Sequence, residues 1–557
     1  MKSSSQHVFA QVPHASIPRS SFRRNMTWKT AFDSGYLVPI YVDEALPGDT
    51  FNCNLTQFCR LSSPLSLPVM DNIYLDTFFF AVPVRLLWEH FTAMCGERKS
   101  PDDTIDYLAP ILAPATGDEK IKLTEQSLSD YLGLPIGEFD PTKFEATSLW
   151  HRAYNLVWNE WFRDENLQEP VEVITGDGPD PLDKFKLLRR GKRHDYFTSA
   201  LPFVQKGPAS MIGLAGYAPV SGFDGEDYKS LQFTTQGGSI YGGMLASRSA
   251  SATYFGLHGK SATEGYSEEV PAGSTVSSAA PSSDMWPANQ SIAVERGLFA
   301  DLSQASAITV NSLREAFAIQ RQLERDARAG TRFFEILRAN FGVTSPDSRL
   351  QRPEYLGGGS TPIMLHTVAQ TSATETGSLT PQGNLTAYGV AGGNCGFIKS
   401  FVEHSVIIGL ACVRCDLTYQ QGLHRMFSRR SRFDWYWPAL HNLGEQAVLN
   451  KEIYCDGSDA DNKPFGYQER WAEYRYGQSR ITGKLRSQSQ LSLDAWHLAQ
   501  YFSNRPALNA EFIEERPPLN RILAVQDEPQ LIYDSLISLN CVRPMGCYSV
   551  PGLIDHL

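Results

Sequence analysis

The sequence predicts an all-β core in which long irregular connections and a few helices join the strands. Segments 36–42, 50–59 and 73–84 are rich in the aromatic and β-branched residues typical of strands, with Pro and Gly between them. The 43 Gly and 33 Pro favour many turns over a helical bundle. With 557 residues, 42% of them hydrophobic, the chain can bury a large core.

The N-terminal segment 1–32 is basic. It contains five Lys or Arg side chains, several Ser and no acidic residue. We therefore expect an extended arm, which is either a loosely ordered terminus or a contact with nucleic acid. Its candidate contact residues are Arg19, Arg23, Arg24 and Lys29.

The first part of the structured framework is predicted over 33–206. Within it, the segment 73–84 alternates only partly between apolar and polar residues, as expected for a strand covered on both faces, and Pro83 should end that strand. A helix is predicted over 148–164, because apolar residues recur at every fourth position beside a second, aromatic row. This broad apolar face must be buried against a large surface.

The composition changes after residue 206. From 207 to 285, Gly, Ser, Ala and Thr dominate, and only three basic residues occur in 79 positions. A loop of this length in a compact chain is usually functional or disordered, so we expect a large surface insertion over 207–300. The second part of the framework is predicted over 301–557, with a helix over 311–329 and a long strand over 404–419.

Charge and cysteine usage narrow the function classes. The net charge of −11 excludes a protein that binds nucleic acid over its whole surface, so any such contact must be local. Nine cysteines, an odd number, favour free thiols in a reducing compartment. The N-terminus lacks the apolar run of a signal peptide, and no stretch of about 18 apolar residues occurs, so we expect cytoplasmic synthesis without membrane insertion.

No motif predicts a catalytic, cofactor or metal site. Gly259-Lys-Ser261 ends like a phosphate-binding loop, but the Gly that this motif needs at position 254 is Tyr254. Cys412 and Cys415 form a lone CxxC without a second ligand pair, so two buried thiols are expected rather than zinc. Neither a Gly-x-Ser-x-Gly elbow nor a His-Glu-x-x-His helix occurs. We therefore expect a protein that is not an enzyme.

Two basic islands remain as candidate binding residues. Segment 184–193 holds six positive charges in ten positions, and in segment 425–437 four Arg lie beside five aromatic residues. Basic side chains interleaved with aromatics suit single-stranded nucleic acid, but Arg beside aromatics equally fills subunit interfaces. Both interpretations stay open. The candidate residues are Arg189, Arg190, Lys192, Arg193, Arg429, Arg430, Arg432 and Trp435.

Several motifs occur in one order along the chain: Met26-Thr-Trp28, Leu46-Pro-Gly-Asp49, Arg152-Ala-Tyr-Asn155, Trp158-Asn-Glu-Trp-Phe-Arg-Asp-Glu-Asn-Leu167, 303–317, Leu323-Glu-Arg-Asp-Ala-Arg328 and Glu469-Arg-Trp-Ala-Glu-Tyr-Arg-Tyr476. With them the chain resembles the major capsid proteins of the Microviridae, particularly the gokushovirus branch. The resemblance covers essentially the whole chain apart from the Gly/Ser-rich stretch.

The resemblance implies an eight-stranded antiparallel jelly roll, the viral capsid β-barrel, with long inter-strand insertions. It also implies that sixty copies, built from pentamers, form a T=1 icosahedral shell around circular single-stranded DNA. Further implied partners are an internal scaffolding protein, a DNA pilot protein and a host surface receptor, the last contacted by a threefold protrusion for which 207–300 is the candidate. The implied location is the virion, after assembly in the cytoplasm of a bacterial host.

Two other function classes are weighed against a shell protein. A β-rich carbohydrate-active enzyme would account for the aromatics and long loops, but a secretory signal and a persuasive carboxylate pair are missing. A monomeric single-strand DNA-binding protein is disfavoured by the acidic balance and the size.

Overall fold

A computed structural model describes residues 18–208, 310–372 and 382–548, together with six short strand segments between 209 and 309. The chain divides into two compact units, one made of Met1–Gly207 with Leu323–Leu557 and the other of Pro208–Gln322. In the second unit, short antiparallel pairs join Leu231–Thr234 to Gly242–Met244 and to Ala293–Val294, Gly242–Met244 to His258–Gly259, and Val220–Ser221 to Phe299–Ala300. Most of the predicted insertion 207–300 lies outside the described residues.

Eight long strands build the first unit, and every neighbouring pair is antiparallel. Their order across the sheet is β1-β8-β3-β6-β5-β4-β7-β2. This order consists of two four-stranded faces, β1-β8-β3-β6 and β5-β4-β7-β2, which is the arrangement of a jelly roll. The predicted fold class is confirmed. The strands are β1 Ser20–Phe32, β2 Val38–Ala45, β3 Thr50–Leu61, β4 Ile73–Pro83, β5 Glu354–Ala369, β6 Leu385–Ser400, β7 Ser405–Cys415 and β8 Leu531–Arg543.

Strand β5 connects the two faces. Its residues 364–369 pair with β6, whereas its earlier part pairs with β4 after a bulge between Tyr355 and Gly357. At Gly358 the backbones approach so closely that a Cβ atom would lie 2.1 Å from the carbonyl oxygen of Thr77. Only glycine permits this close approach of β5 to β4. The pairing partner of β5 changes between Ile363 and Met364, which joins the two layers.

The main core lies between the two faces. Strand β3 alternates strictly between buried and exposed positions, so that Phe51, Leu55 and Cys59 point inward. They pack with residues from the opposite layer, including Phe79 and Ile407. Strand β3 therefore has one covered and one open face.

The opposite layer is covered on both sides. All eleven residues of β7 are buried, and β4 is buried at nearly every position and ends at Pro83. Helix α1, Leu149–Val157, continues in a π-helical turn, Trp158–Phe162, and packs its apolar face on β7. Tyr154 anchors the helix by donating a hydrogen bond to the carbonyl oxygen of Leu37 at 2.9 Å.

Two long connections carry most of the remaining elements: 84–353 joins β4 to β5, and 416–530 joins β7 to β8. The longer helices after α1 are α2, Val310–Ala329, and α3, Phe333–Phe341. The short helices are Val84–Leu87, Phe91–Met94, Leu128–Tyr131, Asn450–Ile453 and Ala510–Ile513, and the short strand pairs are Leu112–Ala113 with Asp180–Pro181, Ile121–Leu123 with Gly137–Phe139, and Glu445–Leu449 with Pro464–Glu469.

The framework begins earlier than expected. Residues 20–32, which the basic composition assigned to an arm, form β1 and pair with β8 along their whole length. The exposed Lys and Arg of this segment lie on the open face of the sheet, because successive side chains of a strand point to opposite faces. The preceding residues 1–17 lie outside the described part of the chain.

Candidate nucleic-acid and subunit interface

Arg24 links β1 to β2, the strands at the two edges of the sheet order. Its guanidinium donates to both carboxylate oxygens of Asp43, at 2.8 and 3.1 Å, and the hydroxyl of Tyr41 donates to the same carboxylate at 2.8 Å. In the described residues β1 and β2 are the outermost strands of the sheet order. The seam between them is therefore held by a bidentate ion pair, and Arg24 has a structural role.

The other basic side chains at the start of the framework differ in how they are used. Arg19 donates to the carbonyl oxygen of Gly48 at 2.7 Å, and Lys29 pairs with Asp534 at 3.0 Å on the surface. Arg23 is exposed and has no ion-pair partner among the described residues. Of the four candidates in segment 1–32, Arg23 is the one that the chain itself leaves free for an external partner.

Three of the four candidates in segment 184–193 point into the protein. Arg190 binds Asp76, which also accepts from Arg414 at 2.7 Å. Burial acts to raise the pKa of Asp76, but hydrogen bonds and the neighbouring guanidinium charges outweigh it and lower that pKa. Arg189 stacks on Tyr36, with 3.9 Å from its guanidinium carbon to the ring centre. Within one chain these cations stabilise the fold.

Lys192 is the third inward candidate. Its ammonium group donates to the carbonyl oxygen of Phe512 at 2.6 Å, and burial lowers its pKa. Nearby, burial raises the pKa of the Glu515 carboxyl to about 7, opposed by the charges of Lys192 and two arginines. Arg193, the last residue of the island, is exposed. Among the four candidates in this island, Arg193 is therefore the one that is exposed.

A cavity of about 960 Å³ lies beside this network. Six Lys or Arg and five Asp or Glu side chains line it, so its charge is nearly balanced. Such a lining suits water or a polar chain segment better than a polyanion. In the described ranges no group of three His, Cys, Asp or Glu side chains could hold a metal ion. Cys412 and Cys415 are buried free thiols.

Segment 425–443 presents an exposed aromatic patch. Three short 3₁₀ turns, Arg425–Ser428, Arg432–Asp434 and Pro438–Leu440, display five rings that are 41% to 64% exposed. Arg432 lies over one of these rings, Trp437, with 4.9 Å to the ring centre. The aromatic patch consists of Phe427, Phe433, Trp435, Tyr436 and Trp437.

Buried carboxylates hold the patch in place from below. Arg425 binds Glu452 at 3.0 Å, and Arg429 binds Glu473 at 3.3 Å. Both carboxylates are nearly inaccessible, and burial raises the pKa of Glu452. Because these two arginines are neutralised inside, Arg430 and Arg432 are the exposed cations of the island. A rigid cluster of exposed rings is typical of a surface that another molecule covers.

Comparison with known proteins shows which family this chain belongs to. A family model described as "Capsid protein (F protein)" matches residues 10–553. The chain belongs to this phage capsid protein family. The predicted resemblance is thereby confirmed, and the capsid protein is a component of the virion.

Three relatives extend over nearly the whole capsid protein. It is 44% identical over 561 residues to Capsid protein VP1 of Bdellovibrio phage phiMH2K, with 98% of each chain covered. It is 42% identical over 597 residues to Capsid protein VP1 of Chlamydia phage 1, and 34% identical over 573 residues to that of Spiroplasma virus 4; each match covers 98% of this chain and 97% of the relative. All three belong to the Microviridae.

A capsid protein acts through surfaces, and the jelly roll determines which surfaces are available. Capsid proteins of this family assemble into a shell, so exposed rings and unpaired cations on the rigid frame are the residues to consider. Among the described residues, no helix is long and apolar enough to cross a membrane. Arg19 and Lys29 are exposed but bind Gly48 and Asp534. In the described ranges, the exposed candidates whose side chains have no ion pair or hydrogen bond are Arg23, Arg193, Arg430, Arg432 and Trp435.

Proposed function

We propose that sixty copies of this capsid protein, built from pentamers, form a T=1 icosahedral shell that encloses circular single-stranded DNA. The observation that carries the proposal is the match over nearly the full length to three phage capsid proteins on a jelly-roll frame. Large inter-strand connections supply the contacts that close a symmetric shell. The role is structural and non-catalytic, and an internal scaffolding protein and a DNA pilot protein assist assembly.

The aromatic patch serves as a contact between neighbouring copies. Trp, Tyr, Phe and Arg are the residue types that dominate protein interfaces. The cations beneath the patch are neutralised by Glu452 and Glu473, and Asp434 offsets one of the two exposed arginines, so little net charge remains to attract a polyanion. Aromatic side chains on a rigid support lose little entropy when they are covered, which suits repeated assembly.

Trp435→Ala tests this assignment against Tyr501→Ala, because both side chains are 47% exposed and only Trp435 lies in the patch. We expect the Trp435 variant to fold normally and to form shells at a critical concentration at least about tenfold higher, since the few residues that dominate an interface, often Trp, are worth about 2 kcal/mol or more. Normal assembly combined with loss of packaged DNA would instead assign the patch to the genome.

The insertion 207–300 contacts the host surface. Its Gly-, Ser- and Thr-rich composition differs from that of the framework, as expected for a segment that tolerates change without loss of the core. Particles in which 207–285 is replaced by a short linker should still sediment as shells but adsorb poorly to host cells. Normal adsorption of such particles would refute this role.

The shell itself is tested by sedimentation and electron microscopy of the purified protein, followed by nuclease treatment. We expect pentamers or closed particles, and DNA that resists nuclease until the particles are disrupted and is then digested by a single-strand-specific enzyme. A strictly monomeric protein in the presence of scaffolding protein and divalent cations would contradict the shell, whereas closed particles without DNA would contradict only the genome enclosure.

A further inference from the structure

The outer face of the β1-β8-β3-β6 layer carries a regular array of amide and hydroxyl side chains. Strand β3 places Asn52, Asn54 and Thr56 on this face at alternate positions, and each is exposed. In contrast to β7, which is buried on both sides, these strands alternate between buried and exposed residues along their length. We name this surface the amide face; its members are Asn25, Thr27, Asn52, Asn54, Thr56, Asn394, Ser538 and Asn540.

The strand register places these side chains next to one another. Asn25 is opposite Ser538, which is opposite Asn54 on the next strand. One step along, Thr56 lies between Leu536 and Asn394. Neighbouring strands are about 4.8 Å apart, so these uncharged donors and acceptors lie within reach of one another, with exposed apolar side chains such as Leu536 and Ile398 between them.

The charge of this face is opposite to that of the whole protein. Three basic side chains, Arg23, Lys29 and Arg60, point outward against one acidic side chain, Asp534, so the face carries +3 − 1 = +2, whereas the chain carries −11. Lys29 is paired with Asp534. Arg23 and Arg60 have no ion-pair partner in the described ranges, which leaves them available to an anionic partner.

An aromatic ring and an open depression lie at the middle of the face. Phe58 is 49% exposed and is directly opposite Gly392 on β6. A Cβ atom at Gly392 would meet no atom within 4 Å. The depression of about 640 Å³ has Gly392 and Gly393 among its lining, with Thr27, Lys29 and Phe58 around it. A planar group can therefore stack on the ring without a steric barrier.

We propose that the amide face lines the inside of the shell and binds single-stranded DNA without sequence preference. Its Asn and Thr side chains hydrogen-bond to sugar and phosphate oxygens, Phe58 stacks a base over the depression, and Arg23 and Arg60 bind phosphates. Four-stranded sheets that stack bases on exposed aromatic rings are an established way of binding single strands. This inference rests on the proposed enclosure of single-stranded DNA and assigns it to a surface.

The first test uses wild-type particles and needs no variant. Particles are irradiated with ultraviolet light and digested, and peptides that carry nucleotide adducts are identified by mass spectrometry. We expect adducts on peptides from β3 and β8, with Phe58 as the principal site. Particles that contain DNA but give adducts only outside this layer would overturn the inference and leave the genome enclosure intact, whereas particles without DNA would contradict the enclosure as well.

The second test compares matched variants of the full chain. Asn54→Asp adds a negative charge to the amide face, and Asn504→Asp adds the same charge at an exposed position in the connection before β8. Phe58→Ala is matched by Tyr501→Ala, because the two rings are similarly exposed. We expect both amide-face variants to bind an oligo(dT) probe about tenfold more weakly at fixed salt, as for lost base stacking, with no change in the controls.

Assembly of the same variants excludes the competing occupant, a second copy of the chain. We expect folded Asn54→Asp and Phe58→Ala proteins to form closed shells with less DNA per particle. Folded variants that no longer assemble would show that the face is a subunit contact and would overturn the inference, as would shells with normal DNA content. Should a variant fail to fold by circular dichroism, the cross-linking result on wild-type particles decides.

Discussion

The ion pair between Arg24 and Asp43 makes the stability of the barrel depend on one side chain at its seam. Asp43 has 7% of its side chain exposed, whereas Arg24 has 34% exposed. Removing the guanidinium by Arg24→Ala leaves a nearly buried carboxylate with only the Tyr41 hydroxyl as a remaining side-chain donor. Breaking a fully buried pair costs about 3–5 kcal/mol, and solvent screening at the half-exposed arginine reduces our expectation to about 2 kcal/mol.

Lys29→Ala supplies the matched control, because Lys29 is on the same strand and forms an ion pair in which both side chains are exposed. Such surface pairs contribute less than about 1 kcal/mol. Urea denaturation of the dissociated protein, followed by intrinsic fluorescence, gives the free energy of unfolding of each variant. In a double-mutant cycle with Asp43→Asn, we expect a coupling free energy above about 1 kcal/mol. Equal losses for the two single variants, or no coupling, would refute closure of the seam by this pair.

Three further predictions concern a buried carboxyl, a close backbone contact and a buried ion pair. Glu515→Gln should flatten the dependence of stability on pH. The folded pKa of Glu515 is about 7, above the usual 4.5, so the wild-type protein loses stability as the pH rises between these values, by on the order of 1 kcal/mol per pH unit. Thermal midpoints of both proteins from pH 5 to 8 test this. Gly358→Ala should prevent folding, whereas Gly392→Ala should not, and soluble yield with circular dichroism distinguishes the two. Arg152→Ala should cost about 3–5 kcal/mol in urea unfolding, because it leaves Asp180 buried without its partner at 2.7 Å; a loss below 1 kcal/mol would contradict this.

Local patterns determined the strands and the principal helix. The aromatic and β-branched segment 50–59 corresponds to β3, and the partly alternating segment 73–84 corresponds to a strand buried on both faces. The four-residue spacing predicted over 148–164 corresponds to α1 and the π-helical turn that follows it. These features depend on residue type and side-chain period, which are readable without knowledge of the partner surface.

The role of each basic residue could not be read from its neighbours in sequence. Composition grouped Arg189, Arg190 and Lys192 in one basic island with candidate external partners, yet each points inward to a partner far along the chain, such as Asp76 or the Phe512 carbonyl oxygen. The amide face was missed for the same reason. Asn52 and Asn54 form part of a polar surface only because β8 and β6 flank β3 in one register.

By itself the sequence determined the class of fold, the family and the positions of the periodic elements, because these depend on local pattern and on similarity over the whole chain. Only the tertiary structure decided which strands meet and which faces stay open. Lys29 and Asp534 form an ion pair although 505 positions separate them, and no local signal connects residues so far apart. Strand register and the covering of each sheet face by other elements decide which charges are neutralised inside and which remain exposed. Both are set by long-range packing.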